Sequence, residues 1–230
     1  FKIKIEIMES DDIIGNFPQE PTLEDASGNQ ENLDLMLKAR ERMETIASYH
    51  KTEDWYLSND EEDVQMYTCQ IPEFNTVSLK RVMDVNASFE KVREFFTDYA
   101  NLKSTDSKIL KFDIISELSK ESKLCYQEFE GSFLVSNRDF CLLSTIVDLT
   151  DGGMFMLNWS VEHEDIPEKS GNVRALLNHS VYLKPIDENT TKVVSFFNTD
   201  PCGSLPTALF NQMKGNQFKK YKDIKKLLEG

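Results

Sequence analysis

Residues 200–213 read "DPCGSLPTALFNQM", and two periodicities meet there. Before them, residues 190–199 alternate as a strand does. After them, Phe210, Met213, Gln217, Tyr221, Ile224 and Leu228 recur at helical spacing. Asp-Pro and Gly203 stop the strand and turn the chain. Ser204 is placed to cap a helix, and Pro206 suits its first turn. The sequence therefore predicts a long final helix, apolar on one face and lysine-rich on the other.

Reading back from that turn, the strand patterns come in a row. They fall at about 65–71, 77–85, 109–117, 123–130, 139–149, 152–162, 172–184 and 190–199, and the breaks "SKES", "GSFLVSN", "TDGG", "EDIPEKSG" and "PIDENT" are turn-like. These connections are short enough for antiparallel hairpins. A helix is expected from Asn32 to about His50, with Leu33, Met36, Leu37, Met43, Ile46 and Ala47 in phase. A second is expected from "NASFEKVREFFTDYANL", capped by Asn86 or Ser88, with Phe89, Val92, Phe95, Phe96 and Tyr99 on one face. Strands in succession with helices at the ends indicate an α+β protein with an antiparallel sheet. A sheet that large curls, and closing it with a helix encloses volume for side chains or a ligand.

The first 31 residues are different. Phe1, Ile3, Ile5 and Ile7 alternate with Lys2, Lys4 and Glu6 as a short strand would. Residues 9–31 carry acids with Pro18, Pro21, Gly15 and Gly28, and read as a linker or loose wrap. Residues 1–31 are therefore assigned as an acidic N-terminal extension and 32–230 as one folded domain.

Composition narrows the function. The chain has 230 residues and a net charge of −14. Residues 1–63 hold six Lys/Arg against 17 Asp/Glu, a net of −11, while residues 204–230 hold six Lys against Asp223 and Glu229. Bulk acidity argues against nucleic-acid binding and against permanent residence on an anionic membrane, but a local basic patch can touch such a surface and leave it. Cys69, Cys125, Cys141 and Cys202 show no C-x-x-C and no paired spacing with His50, His163 and His179. Free buried thiols are expected, with no metal. There is no Ser-His-Asp set and no Gly-rich phosphate loop, so neither catalysis nor a cofactor has support. No run reaches membrane-spanning length. The opening "FKIKIEIMES" lacks a basic stretch followed by an apolar block, so no secretory leader is expected and the cytosol is the expected compartment.

Three stretches resemble the steroidogenic-acute-regulatory-related lipid transfer (START) family. They are "VSNRDFCLL" (135–143), "IPEKSGNVRA" (166–175) and "DPCGSLPTALFNQM" (200–213), in family order and spacing. The resemblance covers about residues 32–230. It implies a helix-grip fold: a curved antiparallel sheet around the C-terminal helix, with one lipid in the tunnel between them.

The resemblance also places candidate residues. Cholesterol-binding relatives carry an Arg about six residues after the Asn-Arg-Asp arginine, facing an acid; here that position is Ser144, and a Glu128 matching the acid would be a lone charge. The aromatic choline cage of the phosphatidylcholine-transfer relative corresponds to Gln127, Phe140 and Asn178, so one aromatic of three survives. Its phosphate-contacting Arg has no clear match in "YANLKSTD", where Lys103 is the nearest cation. Gln127 and Asn178 can still hydrogen-bond a polar headgroup. The expected tunnel residues are thus Gln127, Phe140, Asn178, Arg174, Phe210, Met213 and Gln217. Arg138 and Asp139 read as a structural ion pair or a turn anchor. His179 is expected on the face opposite Asn178.

Phe133 and Leu134, at a loop tip, and Lys214, Lys219, Lys220 and Lys222 are the expected membrane contacts. The sequence thus predicts a monomeric lipid-transfer protein for one amphipathic lipid, a phospholipid, with transient membrane contact. The alternative is a lipid sensor or interaction module without transfer, favoured by the acidic extension.

Overall fold

The computed structural model describes residues 13–52, 54–131, 135–203 and 207–230, with 207–214 described as backbone. Among the described residues are ten strands and four α-helices. In chain order they are a 3-10 turn (Ile14–Asn16), α1 (Gln30–Tyr49), β1 (Tyr56–Glu61), β2 (Val64–Cys69), β3 (Ser78–Val85), α2 (Phe89–Thr97) and α3 (Tyr99–Thr105). There follow β4 (Ile109–Glu117), β5 (Ser122–Phe129), β6 (Asn137–Asp148), β7 (Met154–Ser160), β8 (Asn172–Arg174), β9 (Leu176–Asp187), β10 (Thr190–Asp200) and α4 (Thr207–Glu229).

The strands form one sheet in the order β1-β2-β3-β10-β9-β7-β6-β5-β4. All these pairs are antiparallel; β8 alone is parallel, to the start of β6. The first and last strands of this order, β1 and β4, both carry register shifts. Bulges at edges add twist and discourage further strand pairing.

Both faces of the central strands are covered. On one face Met43, Ile46 and Ala47 of α1 pack with Trp55, Phe155, Tyr182 and Phe196. On the other, Val92 and Phe96 of α2 and Phe218, Tyr221, Ile224 and Leu228 of α4 pack on Met83, Met156, Val181 and Val193. This second face is the one that α4 grips. The curved antiparallel sheet with its C-terminal helix is the helix-grip arrangement expected from the sequence.

The helix starts follow capping chemistry. Asn29 accepts the backbone N–H groups of Glu31 and Asn32, so α1 begins at Gln30, two residues before the periodicity declares it. Ser88 caps α2. The predicted single helix beyond it breaks at Asp98, which is extended (ψ 108°) and caps α3 by accepting from Ala100 N. Tyr99 therefore leaves the α2 face; its ring stacks on Phe112 (4.6 Å) and its hydroxyl meets Ser144 Oγ at 2.9 Å.

The predicted strand at 172–184 divides at the buried Ala175 into β8 and β9, and Ala175 N donates to Asp139 O. β1 was not predicted, because "YLSNDE" lies almost wholly exposed. The alternating residues 1–7 lie outside the described residues. Ile13 and Phe17 are buried against the α1 face, and Arg40 holds Pro18 O at 2.7 Å. All four cysteines are free.

Candidate functional site

Between α4 and the sheet lies a cavity of about 220 Å³. One side, built by β4–β6, is apolar and aromatic: Phe112, Phe129, Phe140 and Leu142, with Phe129 and Phe140 edge to face at 5.7 Å. The other side, built by β3, β10, β9 and β7 under α4, sets the polar groups of Arg81, Asn158, His179, Gln217 and Lys220 among Leu177, Phe197, Tyr221 and Ile224. A largely apolar cavity with a cluster of polar groups on one side fits an amphiphile.

Strand register assembles the polar side. Arg81 on β3 stands opposite Ser195 on β10. Two residues along, Phe197, His179 and Asn158 are cross-strand partners in one rung of β10, β9 and β7. The period of two puts both rungs on the α4 face. Arg81 is 1% exposed. It donates to Ser195 Oγ (2.7 Å) and Gln217 Oε1 (2.8 Å), and the Tyr221 ring lies 4.0 Å from its guanidinium carbon. Its Nε has no partner among the described residues, and neither has Asn158 Oδ1. His179 Nε2 lies 3.4 Å from the Tyr221 hydroxyl.

The charged lining residues are Arg81, Lys108, Arg138 and Lys220 against Asp106 and Glu130. Burial lowers the His179 pKa well below its usual value, and the Arg81 and Lys220 charges add to the effect, so the imidazole is neutral. Burial also lowers Arg81 and Lys220, the latter against the pull of Asp106. Asp106 is the ion-pair partner of Lys220, at 3.7 Å. A protein of net charge −14 thus carries cations inside.

The mouth of the cavity is held by backbone chemistry. Gly131, Val135 and Ser136 border it, and a Cβ at Gly131 would lie 1.9 Å from Val135 O, so this close approach requires glycine. Arg138 donates to Ser136 O (2.7 Å), Pro201 O (3.1 Å) and Cys202 O (3.2 Å). It ties the 131–137 loop to the turn that enters α4. In that turn Asp200 Oδ1 accepts from Cys202 N, and Cys202 (φ 49°) and Gly203 (φ 65°) are both left-handed, which stops the strand.

Of the residues singled out from sequence, Gln127, Phe140 and Gln217 line this cavity. Asn178 does not: its Oδ1 accepts from Arg42 of α1, on the far face, and His179 points in instead. The expected parity of β9 is therefore reversed. Arg174 is also elsewhere. It pairs with Asp139 (2.9 Å) and donates to Ile166 O and Pro167 O, which engages all three of its guanidinium nitrogens.

Arg138 and Asp139 do not pair with each other, since adjacent strand residues face opposite sides; Arg138 is instead the turn anchor, on Pro201 O and Cys202 O. Glu128 is no lone charge, since Lys169 (2.9 Å), Asn137 and Tyr126 all donate to it. Lys103 is exposed. The side chains of Phe210, Met213 and Lys214, and residues Phe133 and Leu134, lie outside what is described. Lys219 is exposed, but Lys220 lines the cavity, and Lys222 pairs with Glu61 (2.9 Å) and Glu62 (3.4 Å) of the β1–β2 hairpin. That hairpin neutralises part of the expected basic face. Sequence reasoning missed Arg81, Asn158 and His179.

No cluster of His, Cys, Asp and Glu suited to a metal occurs among the described residues, and no helix there is long and apolar enough to cross a membrane. Three similarities bear on identity. The mouse StAR-related lipid transfer protein 5 is 31% identical over 112 residues, spanning 45% of this chain and 51% of that protein. The structure of human StAR-related lipid transfer protein 5 superposes with a TM-score of 0.76 at 21% identity, over 85% of this chain and 97% of that one. A StAR-related lipid transfer protein fragment from Xanthomonas axonopodis gives 0.66 at 20% identity, over 77% and 99%. The START domain family model matches residues 38–226, which takes in the gripped helix, the sheet and every described residue of the cavity, and the chain belongs to the START domain family.

Proposed function

We propose that the protein binds one amphipathic lipid, a phospholipid, in the cavity under α4 and carries it as a monomer between membranes, touching each only briefly from the cytosol. One observation carries this reading. The cavity has an aromatic side for acyl chains and a cluster of buried polar groups for a headgroup. The relatives named as lipid transfer proteins support it. At about 220 Å³ the space is below the ~300–1,000 Å³ of ordinary small-molecule pockets, so loading requires α4 and the mouth to move apart.

The test is a vesicle-to-vesicle transfer assay with a fluorescent phospholipid, paired with native mass spectrometry of the loaded protein. Leu177→Trp, which adds bulk at the cavity wall, should lower loading severalfold while the fold persists. A wild-type protein that loads lipid but never releases it to acceptor vesicles would instead be a sensor. One that loads none would refute the lipid reading outright.

A further inference from the structure

Arg81 is a buried cation whose partners are all neutral. Two of its hydrogen bonds go to Ser195 Oγ and Gln217 Oε1, its Nε is unpartnered, and no described carboxylate pairs with it. A guanidinium does not escape this by losing its proton. A buried charge without a counter-charge is among the costliest arrangements a fold can hold. The strand gives no reason for it, since an apolar residue would continue the surface of Leu79, Met83 and Val85. Other charges at the cavity do not supply the missing anion. Asp106 is held by Lys220, and Glu130 stands beside Gly131 at the mouth.

We propose that the cavity is built for a lipid whose headgroup carries a net negative charge on oxygen, a phosphate or a carboxylate, and that Arg81 is the residue that recognises it. This rests on the lipid-binding reading above and narrows it. The fork of donors on Arg81 suits two anionic oxygens, with Nε as the free donor. Asn158 on β7 and Gln127 on β5 add amide groups elsewhere on the cavity lining, and Asn158 Oδ1 is without a partner among the described residues and can accept from a headgroup hydroxyl. Lys220 is offset by Asp106, which leaves Arg81 as the buried cation without a counter-charge. Its field disfavours a choline or other cationic headgroup, which would bring like charge into a low-dielectric space.

The experiment uses pairs of lipids that differ only in the anion. Delipidated protein is incubated with phosphatidylcholine vesicles carrying a trace of phosphatidic acid or of diacylglycerol with the same tails, and in a second arm a fatty acid or its fatty alcohol. Native mass spectrometry counts the loaded protein. The expected result is preference for the anionic member of at least one pair by about ten- to hundredfold, the scale of a hydrogen bond to a charged group. The first pair reports a phosphate, the second a carboxylate. Arg81→Met should abolish the preference while unliganded protein melts no lower than wild type; Arg81→Lys should restore part of it.

Equal loading within both pairs by wild-type protein overturns the proposal but leaves lipid binding standing. No loading of any lipid overturns both. A preference that survives in a folded Arg81→Met protein removes Arg81 from recognition. If that variant fails to fold, the charge serves the fold and Arg81 is again removed.

Discussion

Two arginines on the same sheet, Arg174 partly buried and Arg81 fully buried, are treated in opposite ways. Arg174 meets the fully buried Asp139, whose other oxygen also accepts from Tyr126, and the carbonyls of Ile166 and Pro167 accept from its other two nitrogens. Nearby, Glu128 is matched by Lys169 and Asn137. Every charge in that corner has its answer within the chain. Arg81, at 1% exposure, has two neutral partners and a spare N–H. A matched buried charge fixes a fold, whereas an unmatched one beside a cavity leaves a vacancy for chemistry from outside. The difference separates structural from recognition residues where sequence proximity cannot.

The largest effect is expected where the match is tightest. Arg174→Met strands Asp139 in the interior and should cost about 3–5 kcal/mol in denaturant unfolding. Arg81→Met, the same replacement at the unmatched site, should leave the unliganded protein unchanged or raise its stability by up to about 1–4 kcal/mol. Opposite signs sharpen the contrast; two equal losses would break it.

A third, smaller effect concerns acid. Hydrogen bonding from Lys169 outweighs burial and holds the Glu128 pKa at about 2, below its ordinary 4.5. A depressed carboxylate pKa stabilises the fold at neutral pH, and that contribution is lost as pH falls from about 4.5 towards 2. Glu128→Gln should therefore flatten the unfolding curve over that window and leave lipid preference intact. Lys169 is 56% exposed, so the effect is smaller than that of Arg174→Met. The smallest belongs to α4, where Gly215 lies in open space within a helix. Gly215→Ala should add about 0.4–1 kcal/mol of stability and slow lipid exchange. A faster exchange would show that α4 need not move.

Much of this architecture was legible because its signals are local. The Asp-Pro…Gly turn, the Ser88 cap and the hairpin breaks each specify backbone geometry within a few residues. The corner motif was visible as letters, but its pairing was not, since Arg138 and Asp139 look like partners until strand alternation sends them to opposite faces. The polar wall was hidden for a related reason. β3 and β9 are covered by α1 on one side and by the cavity with α2 and α4 on the other. Such strands lose the in-out alternation that reveals parity. "SLKRVMDV" places Lys80 beside Arg81, and "LLNHSV" places Asn178 beside His179. Nothing within either strand says which neighbour faces the helix. Register with β10 and β7 decides it, and register is a property of the assembled sheet.

The Arg138 guanidinium has a mechanical consequence. One planar group grips both lips of the mouth, Ser136 on one side and Pro201 and Cys202 on the other. The lips therefore do not have two independent degrees of freedom. Parting them breaks hydrogen bonds on at least one lip, and a single change of side-chain rotamer frees both together. Two stretches of the cavity lining far apart in sequence are thus fastened by one pin, as a buckle is, and the motion of Ser136 is coupled to that of Pro201 and Cys202.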